Sequence, residues 1–355
     1  MAIATTSFPS YGDLAQSVDA IDLADLDLGS AYDDLGSAVA GVYDVRQEGG
    51  QIIAYFPGGM FTATGTIGST AATLRTLDVL WADQSLHAEG SVVIRQDNSI
   101  SGFLTKVSFA SPLLSFEVQG KVGLTSDTAT LTSVSLTMGD LSYRIDGSVL
   151  LDTVTGAMSG TIRAIHLDDG VHDASVARLN LPVADFISMT PEQSLALIFS
   201  GKDVLTATGH AVELAGFDGK DLIVGSTGDD TIMGGNGKDK LTGGIGADDF
   251  VFDYAPNKVT NVDTIVDFSA TDGDCIVLDG TIFSVQSLVI LDKLASKVDT
   301  GGNAFDSASY VGLVYVQATG RLYYDSSETG SGELVAKLVG APELSGEAIS
   351  FIVPV

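Results

Sequence analysis

Residues 216 to 251 divide into four consecutive nine-residue units, GFDGKDLIV, GSTGDDTIM, GGNGKDKLT and GGIGADDFV, and a period of nine leaves a chain few ways to fold. Glycine holds the first position of each unit (Gly216, Gly225, Gly234, Gly243) and the fourth (Gly219, Gly228, Gly237, Gly246). Aspartate holds the sixth (Asp221, Asp230, Asp239, Asp248), and an apolar residue the eighth (Ile223, Ile232, Leu241, Phe250). Glycines let the backbone turn tightly, and the short strand that follows points its middle side chain to one face. Stacked units of this kind bury a single aliphatic ladder, so the run predicts a coil of short parallel strands.

The aspartates at a fixed offset from the glycines predict the chemistry. A hard cation such as Ca²⁺ takes six to eight oxygen ligands at roughly 2.3 to 2.6 Å, which short acidic side chains and backbone carbonyls supply together. The pattern resembles the G-G-x-G-x-D-x-U-x nonapeptide of the RTX (hemolysin-type) family. That resemblance implies a parallel β-roll in which two nonapeptides make one coil and each ion lies between turns of repeats two apart. On this chain it implies that Asp218 and Asp221 face Asn236 and Asp239, and that Asp230 faces Asp248, with carbonyls at Gly219, Gly228, Gly237 and Gly246 turned to the ions. Thr227 and Ile245 depart from the pattern at the third position, so weaker binding is expected on their side. The phase extends backward. IFSGKDVLT (198–206) keeps Gly201, Asp203 and Leu205, while ATGHAVELA (207–215) keeps only Leu214, which makes six repeats with the second degenerate. Gly201 and Asp203 would complete a further site with Asp218 and Asp221. Aspartates acting only as turn formers would not need this register with the glycines.

Composition points the same way. A formal charge of −29, with 17 basic residues in 355, argues against nucleic acid and against anionic lipid as partners and favours divalent cations. Self-repulsion loosens the compact state, and an ion that binds only the folded form stabilises it, by roughly 1.4 kcal/mol per site at tenfold excess over Kd. Folding switched on by Ca²⁺ is the expectation. The first residues lack the basic and apolar regions of a cleaved leader, and no stretch reaches the roughly twenty apolar residues of a membrane span. The single Cys275 excludes an internal disulfide. Extracellular calcium modules have Kd values of roughly 10⁻⁴ to 10⁻³ M, too weak for cytosolic ion levels. The family resemblance reconciles these facts: RTX proteins leave Gram-negative cells unfolded through a type I ABC secretion apparatus and reach the extracellular space or cell surface, directed by an uncleaved C-terminal signal.

The expected fold is all-β: an N-terminal antiparallel β-meander, as a sandwich or curved sheet, then the calcium-binding parallel β-roll and a C-terminal β cap. Residues 1–41 read as an irregular acidic segment. Residues 42–189 read as repeated hairpins, beginning with a turn at Glu48, Gly49 and Gly50. Four units align on Gly65, Gly90, Gly120 and Gly147, each a strand, a polar turn and a returning strand, for roughly eight strands. Thr190, Pro191 and Gln193 predict a capped helix over 190–197 at the end of the roll. The roll is expected over 198–251. Residues 252–355 would form the cap and carry the secretion signal, because DTIVDFSATDGDCIVLD, VYVQATGRLYYD and SGELVAKLVG resemble the downstream part of such proteins.

No catalytic motif is visible, neither H-E-x-x-H nor G-x-S-x-G. HLDDGVHD places His166 and His172 around Asp168, Asp169 and Asp173, but an acidic surface turn explains it better than a metal site. Asp22, Asp25 and Asp27 could imitate a glycosidase pair, without evidence that any two converge. The favoured reading is a secreted, non-enzymatic calcium-binding surface, matrix or adhesion component, with surface polysaccharide or a second copy of the chain as partner. The alternatives are a polysaccharide-acting hydrolase or lyase, or a carbohydrate-binding module.

Overall fold

The computed structural model describes residues 3–6, 44–283, 288–291, 304–305, 312–326 and 332–352, except 49, 82, 97–98, 113, 124–127, 139, 153–154, 156, 169–170, 172, 210 and 258. Asp22, Asp25, Asp27, Asp169 and His172, and most of the acidic N-terminal segment, lie outside the described residues. The chain forms two compact units, one comprising residues 17–171 and 179–189, the other 1–16, 172–178 and 190–355.

The first unit is an antiparallel meander. Among the described residues ten strands follow one another: Asp44–Glu48, Gln51–Phe56, Gly59–Ile67, Ala71–Trp81, Gln84–Arg95, Ile100–Ala110, Leu114–Gly123, Thr128–Met138, Leu141–Asp152 and Met158–Asp168. The last eight are the four hairpins aligned on glycine. Each of those glycines sits at a register shift, between Thr64 and Gly65, Glu89 and Gly90, Gln119 and Gly120, and Asp146 and Gly147. A Cβ at these positions would collide with the backbone carbonyl of Thr73, Phe103, Thr130 or Thr161 on the next strand. The repeated glycine therefore marks a line of β-bulges, where the extra residue bends the sheet and only a hydrogen side chain fits.

Alternation of side chains gives the sheet two unlike faces. Val79, Leu86, Phe109, Phe116, Leu136, Tyr143 and Leu167 stand opposite one another across successive strands, and most of them are buried. The neighbouring row is Asp78, His87, Ser108, Glu117, Ser135, Arg144 and His166. Its charges pair locally: His87 Nδ1 with Asp78 at 2.6 Å, His87 Nε2 with Glu89 at 3.0 Å, and Lys106 with Glu117 at 2.7 Å. Asp78 first, then Glu89, hold the His87 imidazole above its usual pKa. His166 lies 3.5 Å from Asp146 on this half-exposed face.

The second unit is a roll of parallel strands. One face stacks Ile3–Thr6, Val204–Ala207, Leu222–Val224, Lys240–Thr242, Asp263–Ile265 and Gly332–Leu338. The other stacks Glu213–Ala215, Thr231–Met233, Asp249–Phe252, Cys275–Asp279 and Ile349–Ile352. Between them lie Leu205, Ile223, Leu241 and Ile265 from one side and Leu214, Ile232, Phe250 and Ile276 from the other, none more than 1% exposed. Leu214, the sole motif residue of the degenerate repeat, keeps its place in this ladder.

Two features differ from the expectation. Residues 1–41 are not wholly irregular, because Ile3–Thr6 pairs in parallel with Val204–Ala207 and antiparallel with residues 174–177. A short strand there covers what would otherwise be the open edge of the roll. The parallel ladders also run on past residue 251 into the C-terminal region, where Gly312–Val316, Arg321–Asp325 and Gly332–Leu338 add antiparallel strands. The helix is Pro191–Ile198, with the full capping box between Thr190 and Gln193. Phe199, directly after it, is buried and stacks on Phe217 of the GFDGKDLIV unit at 6.3 Å.

Candidate metal centre

The repeat geometry brings the sixth-position aspartates into two lines, one on each side of the roll. On one side the backbone N–H of Asp203 donates to Asp221 Oδ1 at 2.7 Å, that of Asp221 to Asp239 Oδ1 at 2.7 Å, and that of Asp239 to Asp263 Oδ1 at 2.9 Å. On the other, Val212 donates to Asp230 Oδ1 at 2.8 Å, Asp230 to Asp248 Oδ1 at 2.9 Å, and Asp248 to Asp274 Oδ1 at 3.1 Å. Asp221, Asp239, Asp263, Asp230, Asp248 and Asp274 thus each use one carboxylate oxygen to tie their turn to the preceding turn of the same line. Asp203, Asp221, Asp230, Asp239 and Asp248 are all buried, while Asp218 and Asn236 pair at the surface with Asn236 Nδ2 donating to Asp218 Oδ1 at 3.2 Å.

The fourth-position glycines make this stacking possible. A Cβ on Gly219 would strike the carbonyl of Gly201, one on Gly237 that of Gly219, and one on Gly246 that of Gly228. Carbonyl oxygens therefore line up beside the carboxylates without intervening side chains.

The second carboxylate oxygens distinguish the two lines. Oδ2 of Asp221 and Oδ2 of Asp239 are buried and accept no hydrogen bond. Asp230, across the roll, is satisfied by protein: Ser226 Oγ donates to its Oδ1 at 3.0 Å and Ser226 N–H to its Oδ2 at 2.5 Å. Burial pushes the Asp221 carboxyl up to about 7, with the charges of Asp239 and Asp203 adding to it. Burial likewise pushes Asp248 up to about 6, with Asp274, Asp230 and Asp267 contributing, and raises Asp239 and Asp274. Desolvation and like charge both disfavour the ionised form, and a bound divalent cation reverses both effects.

These residues fit a calcium ion. Orphaned carboxylate oxygens are acceptors in want of a positive partner, the neighbouring carbonyls are hard oxygen donors, and no softer ligand is present among them. Among the described residues no three His, Cys, Asp or Glu side chains form a group that could hold a metal by themselves. His166 and Asp168 show no ligand set of that kind either. The sequence reading missed Asn261, Asp263, Asp267 and Asp274. Asn261 Oδ1 accepts the N–H of Gly237, and Asp267 accepts those of Gly243 and Gly244, at 2.9 to 3.0 Å. For Asp263, Asp267 and Asp274 the signal was the DTIVDFSATDGDCIVLD segment, read only as a downstream resemblance.

The solution structure of the AlgE6R3 subunit from the Azotobacter vinelandii mannuronan C5-epimerase is similar at 26% identity, over 42% of this chain and 78% of that one, with a TM-score of 0.29. No curated protein matches the chain in sequence. The model of the RTX calcium-binding nonapeptide repeat matches residues 215–250 in four copies and does not extend to the hairpin sheet. Residues 215–250 are therefore RTX calcium-binding nonapeptide repeats, and they bind calcium.

Proposed function

We propose that this chain is an exported, non-enzymatic protein that folds on meeting extracellular calcium, with Asp203, Asp218, Asp221, Asp230, Asn236, Asp239 and Asp248 and the carbonyls of Gly219, Gly228, Gly237 and Gly246 as ion ligands. The observation that carries this reading is the pair of buried, unpartnered Oδ2 atoms on Asp221 and Asp239. Left without a counter-ion, each costs about 1–3 kcal/mol or more. Where calcium is scarce, as inside a cell, the roll then lacks what offsets this cost and the chain stays exportable. In millimolar calcium the same residues become its main source of order. Type I export, directed from the C-terminal region, is the route consistent with such a chain.

The hairpin sheet is the part presented to the surroundings, as an adhesion, matrix or surface-layer module. The mixed row of Asp78, His87, Glu117 and Arg144 is already paired within the sheet. Circular dichroism and light scattering during a calcium titration of the full chain test this reading. Gain of β-structure together with growth into ordered particles is expected. Gain of β-structure by a particle that stays monomeric would remove the matrix assignment and leave a calcium-folded binding module, and no spectral change would remove calcium-driven folding.

A further inference from the structure

The two sides of the roll carry opposite charge. In the units whose strands form the first face, the residue before the buried aspartate is a lysine: Lys202, Lys220 and Lys238. Val204, Leu222 and Lys240 stand in register, so the lysines two positions earlier occupy neighbouring rungs, at the strand spacing of about 4.8 Å. All three are exposed, whereas the aspartates that follow them are buried. Lys240 and Lys337 carry the same sign onto the face itself, both exposed and both in register with Thr264. None of these five lysines is held in an ion pair among the described residues. Asp218, tied to Asn236, is the exposed carboxylate in the three lysine-bearing loops.

The alternate units, 207–215, 225–233 and 243–251, contain no lysine or arginine. They form the second face, and outside the buried line they carry Glu213, Asp229 and Asp249, the last two exposed. Asp267, which accepts the N–H groups of Gly243 and Gly244, and Asp272 add exposed carboxylates to the same side. The apolar ladder from Leu205 to Ile276 lies between the two faces, so within one molecule the lysines do not meet these acids. Like charges on adjacent rungs repel one another. Each side therefore lacks a counter-charge that the other side of a second molecule supplies.

We propose that the lysine side of the roll is an interaction surface for a second copy of this chain, which docks there through its carboxylate side. The contact is heterologous: each added copy leaves one basic and one acidic side open, so association continues as a filament or layer instead of closing as a dimer. The net charge of −29 repels copies that approach with acidic sides together. At physiological salt, charges more than about 8 Å apart are largely screened, so the local match sets the docking orientation. The lysines are in register only in the folded roll, so calcium governs the surface by governing the fold. This inference rests on the assembly reading above and names the surface that carries the assembly.

Light scattering of the full chain in calcium, with circular dichroism on the same samples, tests this with two charge-reversed variants. One carries Lys220→Glu and Lys238→Glu, the other Asp229→Lys and Asp249→Lys. The parent should assemble, and less so at high salt. Each variant alone should fold in calcium yet need at least about tenfold more protein to assemble. Mixed in equal amounts the two should assemble together, because every contact then joins opposite signs. Folded variants that assemble like the parent would overturn the inference and leave the matrix reading standing, whereas a parent that stays monomeric would sink both. Capture of that monomer by polygalacturonate would assign the lysines to a polyanion instead of a second copy. If a variant fails to fold, the parent decides: assembly that high salt does not weaken would contradict the surface.

Discussion

Replacing Asp239 with alanine should raise the calcium concentration needed to fold the roll by about tenfold or more, while the hairpin sheet of residues 44–168 keeps its structure. Asp239 occupies the middle of its line, accepting the N–H of Asp221 at 2.7 Å and donating its own to Asp263 at 2.9 Å. Its removal strands a buried N–H, at about 1–3 kcal/mol, and takes a charged ligand from the ions on either side, each contributing about 1.4 kcal/mol at tenfold excess. A total of roughly 4–6 kcal/mol follows. Calcium titration of parent and variant by circular dichroism measures it. Superimposable curves would mean that the unpartnered oxygen of Asp239 does not face an ion.

The Phe250→Ala variant should lose about 3–5 kcal/mol of roll stability even in saturating calcium. Phe250 is fully buried, stands in register between Ile232 and Ile276, and meets the Phe268 ring at 6.1 Å. Parallel strands of three to five residues cannot close up around a cavity of that size, because the strand carrying Phe250 is paired in register on both sides. Urea unfolding in excess calcium, monitored separately for the two units, should show the roll transition moved and the sheet transition in place. A loss below about 1 kcal/mol would show that the roll repacks.

These two residues also show how directly such a fold can be read. Asp239 and Phe250 are legible because the nine-residue phase assigns each position a single job: glycine for close approach, aspartate for the rung, an apolar residue for the core. Leu214 alone was enough to place the strand Glu213–Ala215 in a repeat that had lost every other motif residue. The hairpin sheet is legible for a similar reason. Gly65, Gly90, Gly120 and Gly147 recur because each meets a carbonyl of the next strand, so the alignment on glycine was an alignment of bulges.

What escaped the reading lacked a local signature. The strand Ile3–Thr6 is four residues long and its partners lie some 170 to 200 positions away, so nothing nearby in the chain announces it. Asp263 and Asp274 occupy the next rungs of the two lines, but steps of 24 and 26 residues replace the step of 18 and break the phase that identified the others. Ser226 holds the second position of its unit, to which the repeat pattern assigns no job. Its two hydrogen bonds to Asp230 make that side of the roll less dependent on an ion, in the same sense as the weaker binding expected from Thr227 and Ile245.

The central claim is that calcium completes a carboxylate ladder confined to the roll. Amide hydrogen exchange of the full chain with and without calcium tests it most directly, because the N–H groups of Asp203, Asp221 and Asp239 donate to the very carboxylates that an ion would fix. Calcium should strongly slow exchange through residues 204–279 and leave the strands of residues 59–168 at their calcium-free rates. Equal protection of the roll in calcium and in chelator, or the same gain across both units, would contradict it.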